Sequence, residues 1–143
     1  MNLVLWVHPI LESLATLAAV MVLYQGLKRF AAVHLGLKTR FPWKRHVFWG
    51  KAALLTWALG ALLGFIGLYL SWSTVFSTGL HYRIALVMLP LLLTSYTTGL
   101  RMDRIKRRRP LLPLVHGLNN AVLLALAGYQ AATGLRLARA ILL

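Results

Sequence analysis

Four stretches of this chain, residues 3–27, 47–70, 75–100 and 111–135, are almost continuously apolar and are broken only by isolated polar side chains. Each is long enough to cross a hydrocarbon core of about 30 Å, which takes about 20 residues of helix. A backbone in lipid must satisfy its own hydrogen bonds, so it forms helices or a closed barrel, and the period-two alternation of a barrel is absent. The chain is 59 % hydrophobic, with only two acidic residues in 143, which excludes a small soluble domain. The expected fold is all-α: an antiparallel four-helix transmembrane bundle, a single domain over residues 1–143. No low-complexity segment or long linker divides it.

A formal charge of +14 invites a nucleic-acid reading, but the basic residues do not line a soluble face. Thirteen of the 16 lysines and arginines fall within residues 28–51 and 101–109, flanking the first and third connections; only Arg83, Arg136 and Arg139 lie elsewhere. Nucleic acid is therefore not an expected partner. The positive-inside rule puts both basic loops in the cytoplasm and both termini outside, as in a bacterial inner (cytoplasmic) membrane protein. The first positive charge comes at Lys28, so the first stretch lacks the basic n-region of a cleaved signal and reads as a mature span. Trp6, Trp43, Trp49, Trp72 and Tyr82 fall near the predicted interfaces, where amphipathic rings anchor helices at headgroup level.

Within this frame four histidines are each followed, 18 residues later, by a glycine: His8 and Gly26, His46 and Gly64, His81 and Gly99, His116 and Gly134. Eighteen residues are five helical turns, so each glycine lies on the face of its histidine, roughly 27 Å along the axis. With glycine at about 7 % of residues, four hits at one fixed offset have a chance on the order of 10⁻⁵, and ~20 offsets could have been noticed, so coincidence is a poor account. His46, His81 and His116 also follow one another at intervals of 35 residues, one helix plus one loop, while a longer basic loop stretches the first interval to 38. His34 has no such glycine and reads as an interfacial residue.

With alternating helix directions, His8 and His81 share the outer level, and His46 and His116 share the cytoplasmic level. Each pair sits on alternate helices and can grip one iron from opposite sides of a porphyrin plane. Small residues dominate the ligand faces, as in Gly50, Ala53, Gly60, Gly64 and Gly67 below His46, leaving slots for a flat macrocycle. A side chain at any of the four distal glycines would collide with the ring or its edge. The absence of cysteine removes disulfides, iron–sulfur clusters, thiolate nucleophiles and covalent haem attachment, so any haem is held by coordination and packing. The expected cofactors are two non-covalent haem b groups, with His8 and His81 on the outer iron and His46 and His116 on the cytoplasmic-side iron.

Three further residues bear on this reading. Glu12 lies one turn from His8 and is the only acid inside a predicted span, which makes it the candidate proton acceptor for a quinol near the outer haem. Arg83 and Lys51, close in sequence to His81 and His46, are candidate partners for anionic haem propionates. Snorkelling toward headgroups explains both cations equally well. Pro90, in the middle of the third span, is expected to kink it.

The sequence resembles the cytochrome b561 family and its relatives, with one histidine per helix in a four-helix core and ligand pairs on alternate helices. The segments His46-Val47-Phe48-Trp49-Gly50 and His116-Gly117-Leu118-Asn119-Asn120, followed by Gln130 and Gly134, carry the likeness. It implies axial ligation by His8, His46, His81 and His116 in a transmembrane electron carrier. The cytochrome b of quinol–cytochrome c complexes instead places two ligands on each of two helices, which this chain does not. The expected function is transmembrane electron transfer through two bis-histidine haems, as the membrane subunit of an oxidoreductase or in exchange with the quinone pool. The expected partners are membrane lipid, a redox partner protein or quinone, and other subunits. The competing reading is a haem-free structural membrane anchor whose glycines, such as the GxxxG pair Gly60 and Gly64, only pack helices. A small transporter has no broken-helix repeat to support it.

Overall fold

The structure is a computed structural model that describes residues 4–105, 107, 109 and 111–141; Leu3, Lys106 and Arg108, named above by position or charge, lie outside them. It consists of four helices: α1 (Val4–His34), α2 (Trp43–Trp72), α3 (Leu80–Arg104) and α4 (Leu111–Ile141). All four are long and apolar enough to cross a membrane, and no strand occurs among the described residues. Large apolar side chains such as Leu17, Leu62, Leu70, Leu93 and Leu118 project from the outer surface. They would face lipid, which solvates them as well as a protein core does.

Helix ends differ from the expected spans for local reasons. α1 runs through Lys28 and Arg29 to His34, because long basic side chains are good helix formers and the helix continues beyond the apolar zone. Its 31 residues, about 46 Å at 1.5 Å each, match the full thickness of a bilayer with its headgroups. α4 likewise continues past Gly134 to Ile141. α3 starts at Leu80 rather than near 75, because Gly79 takes φ 59° and ψ −120°, a conformation open to glycine and closed to other residues. At the other end of that connection, Ser73 adopts the left-handed conformation and its N–H caps the Tyr69 carbonyl.

α1 packs most closely on α2, and α3 on α4; α1 with α4 and α2 with α3 complete a ring, leaving α1 diagonal to α3 and α2 diagonal to α4. The α1–α2 seam pairs rising residue numbers on one helix with falling numbers on the other: Leu5 with Gly67, Glu12 with Gly60, and Val22 with Gly50. At mid-height all four helices contribute to a compact core of Ala15, Trp57, Met88, Leu92, Leu123 and Ala127. The large indole of Trp57, 3 % exposed, shares this core with the small Ala15 and Ala127, and its Nε1–H donates to Thr16 Oγ1 at 3.2 Å. In turn the Thr16 hydroxyl donates to the Glu12 carbonyl at 2.7 Å, so no polar atom of this contact faces lipid unpaired.

Polar side chains tie α3 to α4. Ser95, fully buried, donates to Asn120 Oδ1 at 2.7 Å, and Asn119 Nδ2 donates to the Leu91 carbonyl at 2.9 Å. α3 passes unbroken through Pro90, whose own carbonyl accepts from Thr94 Oγ1 at 2.9 Å. Interhelical hydrogen bonds of this kind contribute about 0.6 kcal/mol each and at most about 1.7, so the core packing around Trp57 dominates. Trp57→Ala is therefore expected to destabilise the bundle by about 3–5 kcal/mol, the most of any single change on α2. Thermal unfolding in detergent checks this; a loss below about 1 kcal/mol, less than one buried hydrogen bond, would contradict it.

Candidate functional site

The four histidines paired with glycines lie one per helix, half-buried, and in two sets at opposite ends of the core. Each imidazole fits against the distal glycine of the neighbouring helix: His8 on Gly64, His46 on Gly26, His81 on Gly134 and His116 on Gly99. A Cβ at Gly64 would sit 2.9 Å from His8 Nδ1, and at Gly99 and Gly134 it would be 3.2 Å from Cε1 of His116 and His81. At Gly26 the corresponding distance, to His46 Cε1, is an ordinary 3.5 Å. The regular offset thus has a local cause, since each helix brings a ring and receives one.

The missing side chain opens a hydrogen-bond acceptor to the ring. His8 Nδ1 lies 2.8 Å from the carbonyl of Gly60, one turn before Gly64, and His46 Nδ1 lies 3.2 Å from the carbonyl of Val22, one turn before Gly26. A carbonyl only accepts, so Nδ1 of both rings carries the proton. In the other hairpin the partners are hydroxyls: His81 Nδ1 is 2.9 Å from Thr133 Oγ1, and His116 Nδ1 is 2.9 Å from Thr98 Oγ1. Each threonine hydroxyl also reaches a backbone carbonyl, from Thr98 to Thr94 at 2.6 Å and from Thr133 to Gln130 at 3.1 Å. The carbonyl partners fix His8 and His46 as the Nδ1–H tautomer, so Nε2 of those two rings presents a lone pair. A hydroxyl both donates and accepts, so the threonines orient the rings of His81 and His116 without fixing their tautomer, and the His116 ring also bonds the Ser95 backbone.

Across the bundle the rings meet along diagonals. The centroids of His8 and His81 are 6.2 Å apart, with planes at 85°. One metal ion bonded to both Nε2 atoms at about 2 Å each would hold the centroids about 6 Å apart. His46 on α2 and His116 on α4 occupy the other diagonal. Around His8 and His81 a cavity of about 640 Å³, lined from all four helices, is floored by Trp57 and walled by Gly64 and Gly134. That volume is within the usual range of cofactor pockets, about 300–1,000 Å³. The buried Thr78 hydroxyl lines the same cavity and has no hydrogen-bond partner among the described residues. At the His8–His81 level the ring separation and the cavity leave room for a flat cofactor between the two rings. No three metal-ligating side chains converge among the described residues, so a cage built of protein ligands alone is not formed there.

Glu12 lines the cavity with its carboxyl 3.9 Å from His8 Nδ1, and its side chain occupies the gap left by Gly60, where a Cβ would lie 2.5 Å from Oε1. The two cations named from sequence are placed differently. Lys51 Nζ pairs with Asp103 Oδ2 at 3.0 Å, and Arg83 is exposed, its guanidinium over the Tyr82 ring at 5.9 Å. His34 ends α1, exposed and stacked on Phe30. Thr98 and Thr133 were not singled out from sequence, although each directly precedes a distal glycine, a repeated Thr-Gly pair that marks them. The Gly60 and Val22 carbonyls leave no side-chain signal at all.

No family model, curated protein or solved structure matches this chain.

The glycine contacts predict a graded response to alanine. Gly26→Ala gains helix propensity at an ordinary contact distance and should stabilise by up to about 1 kcal/mol. Gly64→Ala must displace the His8 ring and should cost about 1–3 kcal/mol, with Gly99→Ala and Gly134→Ala in between. Unfolding midpoints of the four variants test the order; equal values would mean that the rings do not occupy these gaps.

Proposed function

We propose that this chain is a small dihaem b-type cytochrome that carries electrons across a membrane, resembling the cytochrome b561 family. In this reading the bundle is antiparallel, both termini are outside, and the basic loops lie in the cytoplasm of a bacterial cell. The falling register along the α1–α2 seam supports the antiparallel order, and the Lys51–Asp103 pair supports placing both basic segments at one end. The observation that carries the function is the set of four imidazoles, one per helix, each with Nδ1 on a partner of the neighbouring helix and arranged on two diagonals.

His8 and His81 would hold the outer haem, and His46 and His116 the cytoplasmic one. A bis-histidine haem supplies one-electron chemistry with no open coordination position, which suits electron transfer better than oxygen binding. Around it the chain's own residues do the positioning. Gly60, Val22, Thr98 and Thr133 orient the rings by their hydrogen bonds, as outer-shell partners of metal-ligating histidines do. Gly26, Gly64, Gly99 and Gly134 make room for them, and Trp57 closes the space between levels. Glu12, in the outer cavity, is the residue assigned to receive a proton when a quinol gives up its electrons there. Electrons enter and leave through the quinone pool or a partner subunit.

A reduced-minus-oxidised spectrum of the purified chain is expected to contain two b-type haems. His8→Ala and His81→Ala should each remove the same one, and His46→Ala and His116→Ala the other. If His8→Ala and His46→Ala removed the same haem, the diagonal pairing would be wrong. A polypeptide without haem bands, from a host that makes ample haem, would leave the structural membrane anchor.

A further inference from the structure

We infer that Arg29 is the cation that holds the carboxylate edge of the group bound by His46 and His116, an inference that rests on the dihaem reading. Sequence proximity favoured Lys51 for this place, but its ammonium is drawn to Asp103, which with Glu12 makes up the chain's entire acidic complement. Arg29 is differently situated. The Arg29 guanidinium lies over the Phe41 ring at 5.4 Å, and that ring packs on the imidazole of His46 at 5.1 Å. A single aromatic ring therefore separates a permanent cation from a proposed iron ligand.

The arrangement is built rather than incidental. Phe41 belongs to the connection between α1 and α2, and that connection is folded back on α1 by the Thr39 hydroxyl, which donates to the Lys28 carbonyl at 2.6 Å. The Leu37 N–H, bonded to the Ala31 carbonyl at 3.2 Å, reinforces the fold-back. Phe41 also meets Trp43 edge-on, with centroids 6.1 Å apart. Arg29 makes no ion pair among the described residues. A guanidinium is planar, always charged and able to grip a carboxylate with two parallel hydrogen bonds. Haem propionates are carboxylates, and at this end of the bundle they would emerge at the headgroup boundary, where Arg29 stands exposed beside the ligand.

The test is a redox titration, with haem retention measured on dilution, of the whole 143-residue chain in lipid nanodiscs. Wild type is compared with Arg29→Gln, Arg29→Lys and Phe41→Leu, with Lys44→Gln as a control that removes another charge from the same end. Removing a cation makes addition of an electron less favourable, so Arg29→Gln should lower the midpoint of one haem, the one lost in His46→Ala. Retention of that haem should weaken roughly tenfold to a hundredfold, as expected for a charged hydrogen bond. Arg29→Lys should fall between Gln and wild type. Phe41→Leu, which keeps the charge but removes its rest, should shift the same haem in the same direction by less.

An Arg29→Gln protein with both midpoints and both retentions unchanged would overturn the inference, even if its lipid content fell, because Arg29 would then serve headgroups alone. A shift confined to the haem lost in His8→Ala, or an equal shift in Lys44→Gln, would overturn it as well. Should Arg29→Gln not fold, wild-type behaviour of both Arg29→Lys and Phe41→Leu would have the same force. A wild-type chain without haem fails at the dihaem reading itself, and two intact haems indifferent to Arg29 fail only here.

Discussion

The fold depends on one contact made four times: an imidazole laid against a glycine on the neighbouring helix, with Nδ1 on a polar partner beside it. In lipid a polar ring has no water to turn to, and its bond inside the bundle is the alternative to an unpaired donor. Packing and hydrogen bonding are here the same event. A side chain at Gly64 would push the His8 ring away from the Gly60 carbonyl, so the van der Waals fit and the tautomer stand or fall together. Ring orientation is settled before anything binds, which is what a rigid ligand set requires.

The two hairpins reach this result by different chemistry. In α1 and α2 the acceptors are helix carbonyls, already engaged along their own helix and able to take a second bond through the other lone pair. In α3 and α4 threonine hydroxyls stand beside the rings, each also reaching a carbonyl three or four residues back, and His116 bonds the Ser95 backbone as well. Each diagonal joins one histidine of either kind, His8 with His81 and His46 with His116. The two levels differ in their surroundings: Glu12 and Thr78 lie near one, Arg29 and Phe41 near the other.

Much of this was legible in the sequence, because bilayer thickness and helical pitch leave little choice. Apolar run length alone yields four spans, and the 18-residue offset puts His8 and Gly26, or His81 and Gly99, at opposite ends of one face. Residue spacing cannot reveal which neighbour fills which gap. That depends on α1 pairing with α2, so that the glycine on one helix meets the histidine of the other. Acceptors were hidden for the same reason, since Val22 is marked by its carbonyl and not by its side chain. The late start of α3 follows from a single dihedral at Gly79 that hydropathy does not register. Arg29 illustrates a last limit: it is distant in sequence from His46, and the fold-back of residues 35–42 places Phe41 between the two.

Helices in lipid associate without the drive that collapses a soluble core, so a bundle can stay open at its ends only if something fixes its middle. Trp57 does this. It is the one large ring in the buried core, it meets small residues on α1 and α4, and its N–H is satisfied on α1, so it sets the spacing of the helices at mid-height. Above it lies the cavity between His8 and His81; below it lie His46 and His116. A smaller residue at 57 would let the helices close and bring the diagonals together, while a larger core would part the rings. The 6.2 Å between His8 and His81 is therefore set as much by the packing at the centre of the bundle as by the glycines at its ends.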